Sequence, residues 1–157
     1  MSCLPGRVPV LPSCLSDRLR HQRGVGVDAR GAGSGRPSWL RRQGAADLFT
    51  TAVTVAEVRH RVARLPDGQR KDDLGQAADQ VFGAFPDQIL PFDADAARVY
   101  ADLAASRERV GNPIDGFDAQ IAAICRVHRA SLGTRNVKDF HGTGVEVVDP
   151  WQTAASA

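Results

Sequence analysis

A chain of 157 residues with 43% hydrophobic content has room for one domain with a real core, or one domain and a tail. Mean hydropathy is −0.25, and no apolar run approaches the roughly 18–20 residues needed to cross a bilayer, so no membrane is expected as a partner. Cys3, Cys14 and Cys125 are an odd set without CxxC spacing, so neither a disulfide framework nor a zinc site is indicated.

The net charge of +2 hides an uneven distribution. Residues 1–46 carry eight Arg against two Asp, a net of +6, while residues 47–157 carry twelve Lys and Arg against sixteen Asp and Glu, a net of −4. The first stretch also holds seven Gly and four Pro, and "RGVGVDARGAGSGRPSW" follows neither a twofold nor a 3.6-residue period. Such a composition predicts an irregular, disordered segment over 1–44. A basic Arg/Gly-rich segment could also meet RNA through phosphate contacts. Arg outnumbers Lys 18 to 2, a bias expected of GC-rich coding, and out-of-frame reading of such DNA yields the residues that dominate here. There is no basic run followed by a continuous apolar core, so no secretory leader is expected and the cytoplasm is the expected location.

From residue 47 the pattern sharpens. "DLFTTAV" is a short β-rich run, followed by helical spacing at Val55, Val58, Val62 and Leu65. A second helical face is predicted from Leu74, Ala77, Ala78, Val81, Phe82 and Phe85, and "ILPF" reads as a buried strand. Asp93 is placed to cap a helix over 94–109, with Gly111 as its stop. The next helix, 115–129, is predicted to bury Phe117, Ile121, Ile124 and Cys125, and strands are predicted near 131–134 and 145–149. Short strands alternating with helices predict an α/β fold with a parallel sheet.

The chemistry is concentrated in residues 113–140. Asp115 and Asp118 stand i, i+3 at a helix start, about 5–6 Å apart on one face; Asn136 and Asp139 fall in a polar turn after the next strand. Carboxylates at helix starts and strand ends can converge at one edge of a parallel sheet, where such folds bind ligands. Oxygen-only donors suit Mg²⁺ or Mn²⁺, hard cations that assist phosphodiester hydrolysis. Each acid also has a structural explanation. Glu57 lies three residues after Thr54, the spacing of a capping box. Acids in a first helical turn complement the helix dipole, and Asx residues form turns. Asp72 and Asp73 read as solvated, while His60, His128 and His141 share no metal-ligand spacing.

These residues carry a resemblance. "FTTAVTVAEVRHRVARLPDGQRKDDL", "GNPIDGFDAQIAAIC" and "TRNVKDFHGTGVEVVDPW" resemble a PIN-domain ribonuclease of the VapC-type toxin group, over about residues 45–152. The resemblance implies a three-layer α/β/α sandwich with a short parallel sheet, preceded here by the irregular segment and followed by a tail at 153–157. It implies Mg²⁺- or Mn²⁺-dependent cutting of RNA, a homodimer, and inhibition by a cognate antitoxin. By position, Glu57 matches the family's second acid and Asp118 the helix-borne third. Asp115 matches an accessory acid, and Asn136 or Asp139 supplies the polar fourth position. The resemblance thus implies a catalytic set of Glu57, Asp118 and Asp139 and a metal set that adds Asp115 and Asn136, with either Asn136 or Asp139 reaching the metal.

One part departs from the family pattern. A hydrophobic strand ending in a metal-binding Asp, followed by Thr-Asn or Ser-Asn, should open the domain. The acids before residue 47 are only Asp17 and Asp28, both in Arg/Gly-rich surroundings. Two functions are compatible with this: an endoribonuclease toxin with weakened or absent activity, or a non-catalytic remnant that binds antitoxin or RNA without cutting. A shift of frame upstream of about residue 44, or a mis-assigned start, is a hypothesis that accounts for both the missing strand and the composition. Sequencing the encoding DNA tests it: another frame should hold a hydrophobic run ending in Asp-Thr-Asn or a close variant, and the idea fails if none does.

Overall fold

A computed structural model describes residues 8–9 and 47–149. The other residues, Asp17, Asp28 and the 153–157 tail among them, lie outside that description. The expected α/β order is present. Strand β1 (Val8–Pro9) is followed by β2 (Leu48–Thr51), α1 (Ala52–Ala63), α2 (Gln69–Gly83) and β3 (Ile89–Leu90). Then come α3 (Ala94–Arg109), α4 (Gly116–His128), β4 (Leu132–Gly133) and β5 (Val147–Val148). One sheet has the order β1-β2-β3 and a second pairs β4 with β5, every pairing being parallel.

The pairing of β1 is an addition to the sequence reading, which finds no strand before residue 47. Val8 aligns with Leu48 and Pro9 with Phe49, and β1 also lies close to β4. Proline has no N–H to give a ladder, so this pairing is short and one-sided.

The helices start where local chemistry can satisfy their free N–H groups. Thr51 caps α1, its Oγ1 accepting from the Thr54 backbone N–H at 3.1 Å. Asp93 caps α3 by accepting from Ala96 N–H at 2.9 Å, as its sequence position predicts. Gly111 follows α3 with a φ of +69°, the left-handed geometry expected of a helix stop.

Helix α4 anchors the domain. Ala119 and the whole run Ile121–Cys125 are buried, so the helix is covered on more than one side. A helix apolar around most of its circumference belongs inside a fold, whereas an amphipathic one lies on its surface. Helix α3 makes the most extensive packing against it, and Leu90, Leu132 and Phe140 join the same core. A smaller core forms between α1 and α2 from Val58, Ala78 and Phe82, with Val55 and Ile89 against it.

Three apolar residues break the predicted faces. Val81 is exposed because α2 packs mainly on α1 and leaves its far side in solvent, and Phe85 is exposed beyond the end of α2 at Gly83. Phe117 is 52% exposed; it sits in the first turn of α4, ahead of the buried run. Helix α4 also ends one residue earlier than predicted. Arg129 adopts φ +51°, with Ala130 N–H donating to Cys125 C=O at 2.8 Å and Arg129 N–H to Arg126 C=O at 3.2 Å. This is a Schellman ending with a non-glycine residue in the left-handed position.

Two substitutions test this packing by urea denaturation. Ile124→Ala should cost about 2–5 kcal/mol, since the residue is fully buried. Arg129→Gly should raise stability by about 1 kcal/mol, because glycine adopts the left-handed geometry without the side-chain penalty.

Candidate functional site

The candidate residues named from the sequence fall after strands or at the start of a helix. Glu57 lies in the second turn of α1, directly after β2. Asp115 and Asp118 open α4, whose other end leads into β4, so they lie toward the carboxyl-terminal end of that strand. Asn136 and Asp139 come after β4, Asp139 within a 3₁₀ turn over Val137–Phe140. Each therefore occupies the carboxyl-terminal side of its strand, the side where parallel sheets bind ligands.

The capping-box explanation of Glu57 does not survive. The cap of α1 is Thr51, three residues earlier than expected, and Thr54 lies inside the helix as its partner. Glu57 instead meets Arg61 one turn on, Oε1 accepting from Nη2 at 3.4 Å, with both side chains 27% exposed. The Arg61 Nη1 is buried and has no hydrogen-bond partner. Half-buried pairs of this length contribute modestly to stability, so the pairing offsets the charge of Glu57 more than it holds α1 in place.

Asp115 has a clear structural role. It is the N-cap of α4, its Oδ1 accepting from Phe117 N–H at 2.9 Å. Asp118, half-buried, occupies the first turn of the same helix. Asn136 Nδ2 donates to Asp139 Oδ2, and Asn136 N–H donates to Thr134 Oγ1 at 3.0 Å. The structure thus brings Asn136 and Asp139 together, and Asp115 and Asp118 onto one helix start. It does not gather three acids: among the described residues no group of three or more His, Cys, Asp or Glu is arranged to hold a metal ion. The donor types fit Mg²⁺ or Mn²⁺, but their arrangement does not make a complete site.

Two arginines escape sequence reasoning. Arg61 is legible in principle, because Glu57 and Arg61 have the i, i+4 spacing of helix ion pairs. Arg107 is not. On α3 and only 6% exposed, it donates Nη1 to His141 C=O and Nη2 to Asp139 C=O at 3.4 Å. Its partners lie 32 and 34 residues away, so no local pattern announces it. The guanidinium fork holds the backbone of the turn that carries Asp139, and its Nε remains buried without a hydrogen-bond partner.

A cleft of about 290 Å³ lies at the opposite end of α4, lined by Cys125, Arg126, Arg129, Ser131 and Glu146 among others. It is remote along the helix from Asp115 and Asp118. Burial pushes the Cys125 thiol up to about 12, so it is an inert core residue and no nucleophile.

The family described as PIN domain matches residues 33–143. This chain belongs to the PIN-domain family. It is 35% identical over 118 residues to the VapC ribonuclease Y4jK of Sinorhizobium fredii (strain NBRC 101917 / NGR234), covering 74% of this chain and 84% of that protein. It is 34% identical over 115 residues to Toxin FitB of Neisseria gonorrhoeae (strain ATCC 700825 / FA 1090), covering 73% and 83% respectively. Among solved structures, FitAcB from Neisseria gonorrhoeae matches with a TM-score of 0.73 and 30% identity, over 92% of this chain and 98% of that one. The resemblance to VapC-type toxins and the PIN fold read from the sequence both hold.

Two measurements probe the geometry. Arg107→Met should destabilise the fold by about 1–3 kcal/mol in urea, because it leaves two carbonyls without their charged donor. The Cys125 thiol is held neutral in the fold above its ordinary value of 9.0. The stability it contributes is complete below pH 9 and is lost as pH rises toward about 12. Urea midpoints on both sides of pH 9 should fall with pH in the parent chain, and fall less in Cys125→Ala.

Proposed function

We propose that this chain is the toxin component of a toxin–antitoxin pair and a PIN endoribonuclease with a depleted metal site. The observation that carries the reading is membership of the PIN family together with likeness to a named VapC ribonuclease and a named FitB toxin. Glu57, Asp118 and Asp139 are the proposed catalytic acids, with Asp115 and Asn136 completing the metal surroundings. The proposed domain contains residues 45–152 and reaches further back, since the family match begins at residue 33 and β1 pairs with β2. RNA is the substrate class, a homodimer the working assembly, and the cytoplasm the location. Among the described residues no helix is long and apolar enough to cross a membrane.

The solved neighbours include toxins held with their partners, FitAB on a DNA fragment among them. That supports a cognate antitoxin for this chain.

Reduced activity is expected from charge. Oxygen-rich sites for Mg²⁺ or Mn²⁺ gain affinity from each carboxylate. Here the sequence before residue 47 offers only Asp17 and Asp28, neither in the family's strand–Asp pattern, Glu57 is paired with Arg61, and Asp139 is bonded by Asn136. A second reading, a non-catalytic domain that holds antitoxin or RNA, draws on the lack of any three-acid group among the described residues.

Incubation of the purified chain with RNA and Mn²⁺, beside a Glu57→Ala/Asp118→Ala double variant, separates the two. Slow metal-dependent cutting that disappears in the double variant supports the depleted nuclease. Cutting that persists in the variant contradicts the proposed acids, and a folded chain that never cuts supports the second reading.

A further inference from the structure

The turn that carries Asp139 is held by a buried cation reaching it from another helix. Arg107 lies in the last turn of α3 and is buried. Its Nη1 donates to His141 C=O and its Nη2 to Asp139 C=O at 3.4 Å. The carbonyl between them, that of Phe140, accepts from Thr143 Oγ1 at 2.6 Å. Three consecutive carbonyls are therefore met by side-chain donors, two of them by one guanidinium. Gly142, at φ +74°, passes so near that a Cβ there would stand 3.5 Å from Arg107 Nη1. The backbone of the turn is laid directly against the guanidinium.

This clamp is more than support of a loop requires. Among the described residues Arg107 forms no ion pair with a carboxylate, and its Nε is buried without a hydrogen-bond partner. A buried charge set against neutral carbonyls is costly to desolvate, and a neutral donor would satisfy a carbonyl at lower cost. What the guanidinium adds is a planar fork of fixed geometry, which holds the carbonyls of Asp139 and His141 relative to α3. The Asp139 carboxylate is fixed separately, its Oδ2 accepting from Asn136 Nδ2. Asn136 is itself tied to buried Thr134, its N–H donating to Oγ1 at 3.0 Å. Backbone and side chain of Asp139 are thus each held by a donor of their own.

We propose that Arg107 is a positioning residue for Asp139. Through the carbonyls of Asp139 and His141 it sets where the Asp139 carboxylate stands relative to α4, against which α3 packs. This rests on the reading of Asp139 as a catalytic acid, and adds to it a residue 32 positions earlier in the chain. Lysine cannot take its place, because one ammonium lacks the fork.

The test compares the full chain with Arg107→Lys, Arg107→Gln and Leu103→Val, the last loosening α3 one turn earlier, where Leu103 is buried in the core. Two readouts are taken: Mn²⁺-dependent cutting of an RNA oligomer and, without metal, the NMR position of the Asn136 side-chain amide. Asp139→Ala supplies the position of that amide when it is free. Both Arg107 variants should shift the amide toward the Asp139→Ala position. They should also slow cutting by about 10–100-fold, the usual cost of removing the partner of a metal-site group. Leu103→Val should lower the urea midpoint and leave both readouts at the parent's values. Parent values in Arg107→Lys overturn the proposal and leave Asp139 its catalytic role. Equal shifts in Leu103→Val overturn it too, since Arg107 is then ordinary support for the fold, and so does a failure of both Arg107 variants to fold. A shifted amide with unchanged cutting contradicts the catalytic role of Asp139, and a parent chain that never cuts contradicts the nuclease reading; the proposal falls with either.

Discussion

Burial of α4 is the constraint on which the rest depends. Six of its residues, Ala119 and Ile121 through Cys125, are hidden from solvent, and that fixes both the rotation of the helix and its position along its axis. A slip of one residue would turn the helix by about 100° and drive charged Arg126 or Asp118 toward the core. With the run fixed, Asp115 and Asp118 must emerge at one end and β4 must begin at the other. Asp115 and Asp118 are thus placed by the packing of alanines and isoleucines that do no chemistry.

The same placement creates an electrostatic problem that the chain meets locally. Asp115 gives one oxygen to the start of its own helix. Glu57 faces Arg61, and Asp139 accepts from the Asn136 amide while Arg107 holds its backbone. These contacts engage Glu57, Asp115 and the turn that carries Asp139 within the chain itself.

Much of this is legible in sequence, and the failures are specific. Asp93 and Gly111 are recognisable because capping and left-handed stops leave strong local signals, and both occur as expected. The cap of α1 is ambiguous in sequence because Thr51 and Thr54 are equally good capping residues three positions apart. Only the end of β2 decides between them. Phe117, Val81 and Phe85 all follow helical periodicity, but periodicity does not reveal where a helix outruns the layer beneath it. Arg107 leaves no sequence signal at all, since its partners are brought to it by the packing of α3 and α4 and by the turn after β4. The acids themselves are readable one by one. That no three of them gather among the described residues is a property of tertiary structure, and no spacing rule contains it.

On the proposed reading a divalent cation would be held weakly, because Glu57 is paired with Arg61 and Asp139 is bonded by Asn136. Calorimetric titration of Mn²⁺ into the full chain, beside the Glu57→Ala/Asp118→Ala double variant, tests it most directly. The account predicts binding no tighter than millimolar, lost in the double variant. Stoichiometric binding at micromolar Mn²⁺ that depends on Glu57 and Asp118 would contradict it.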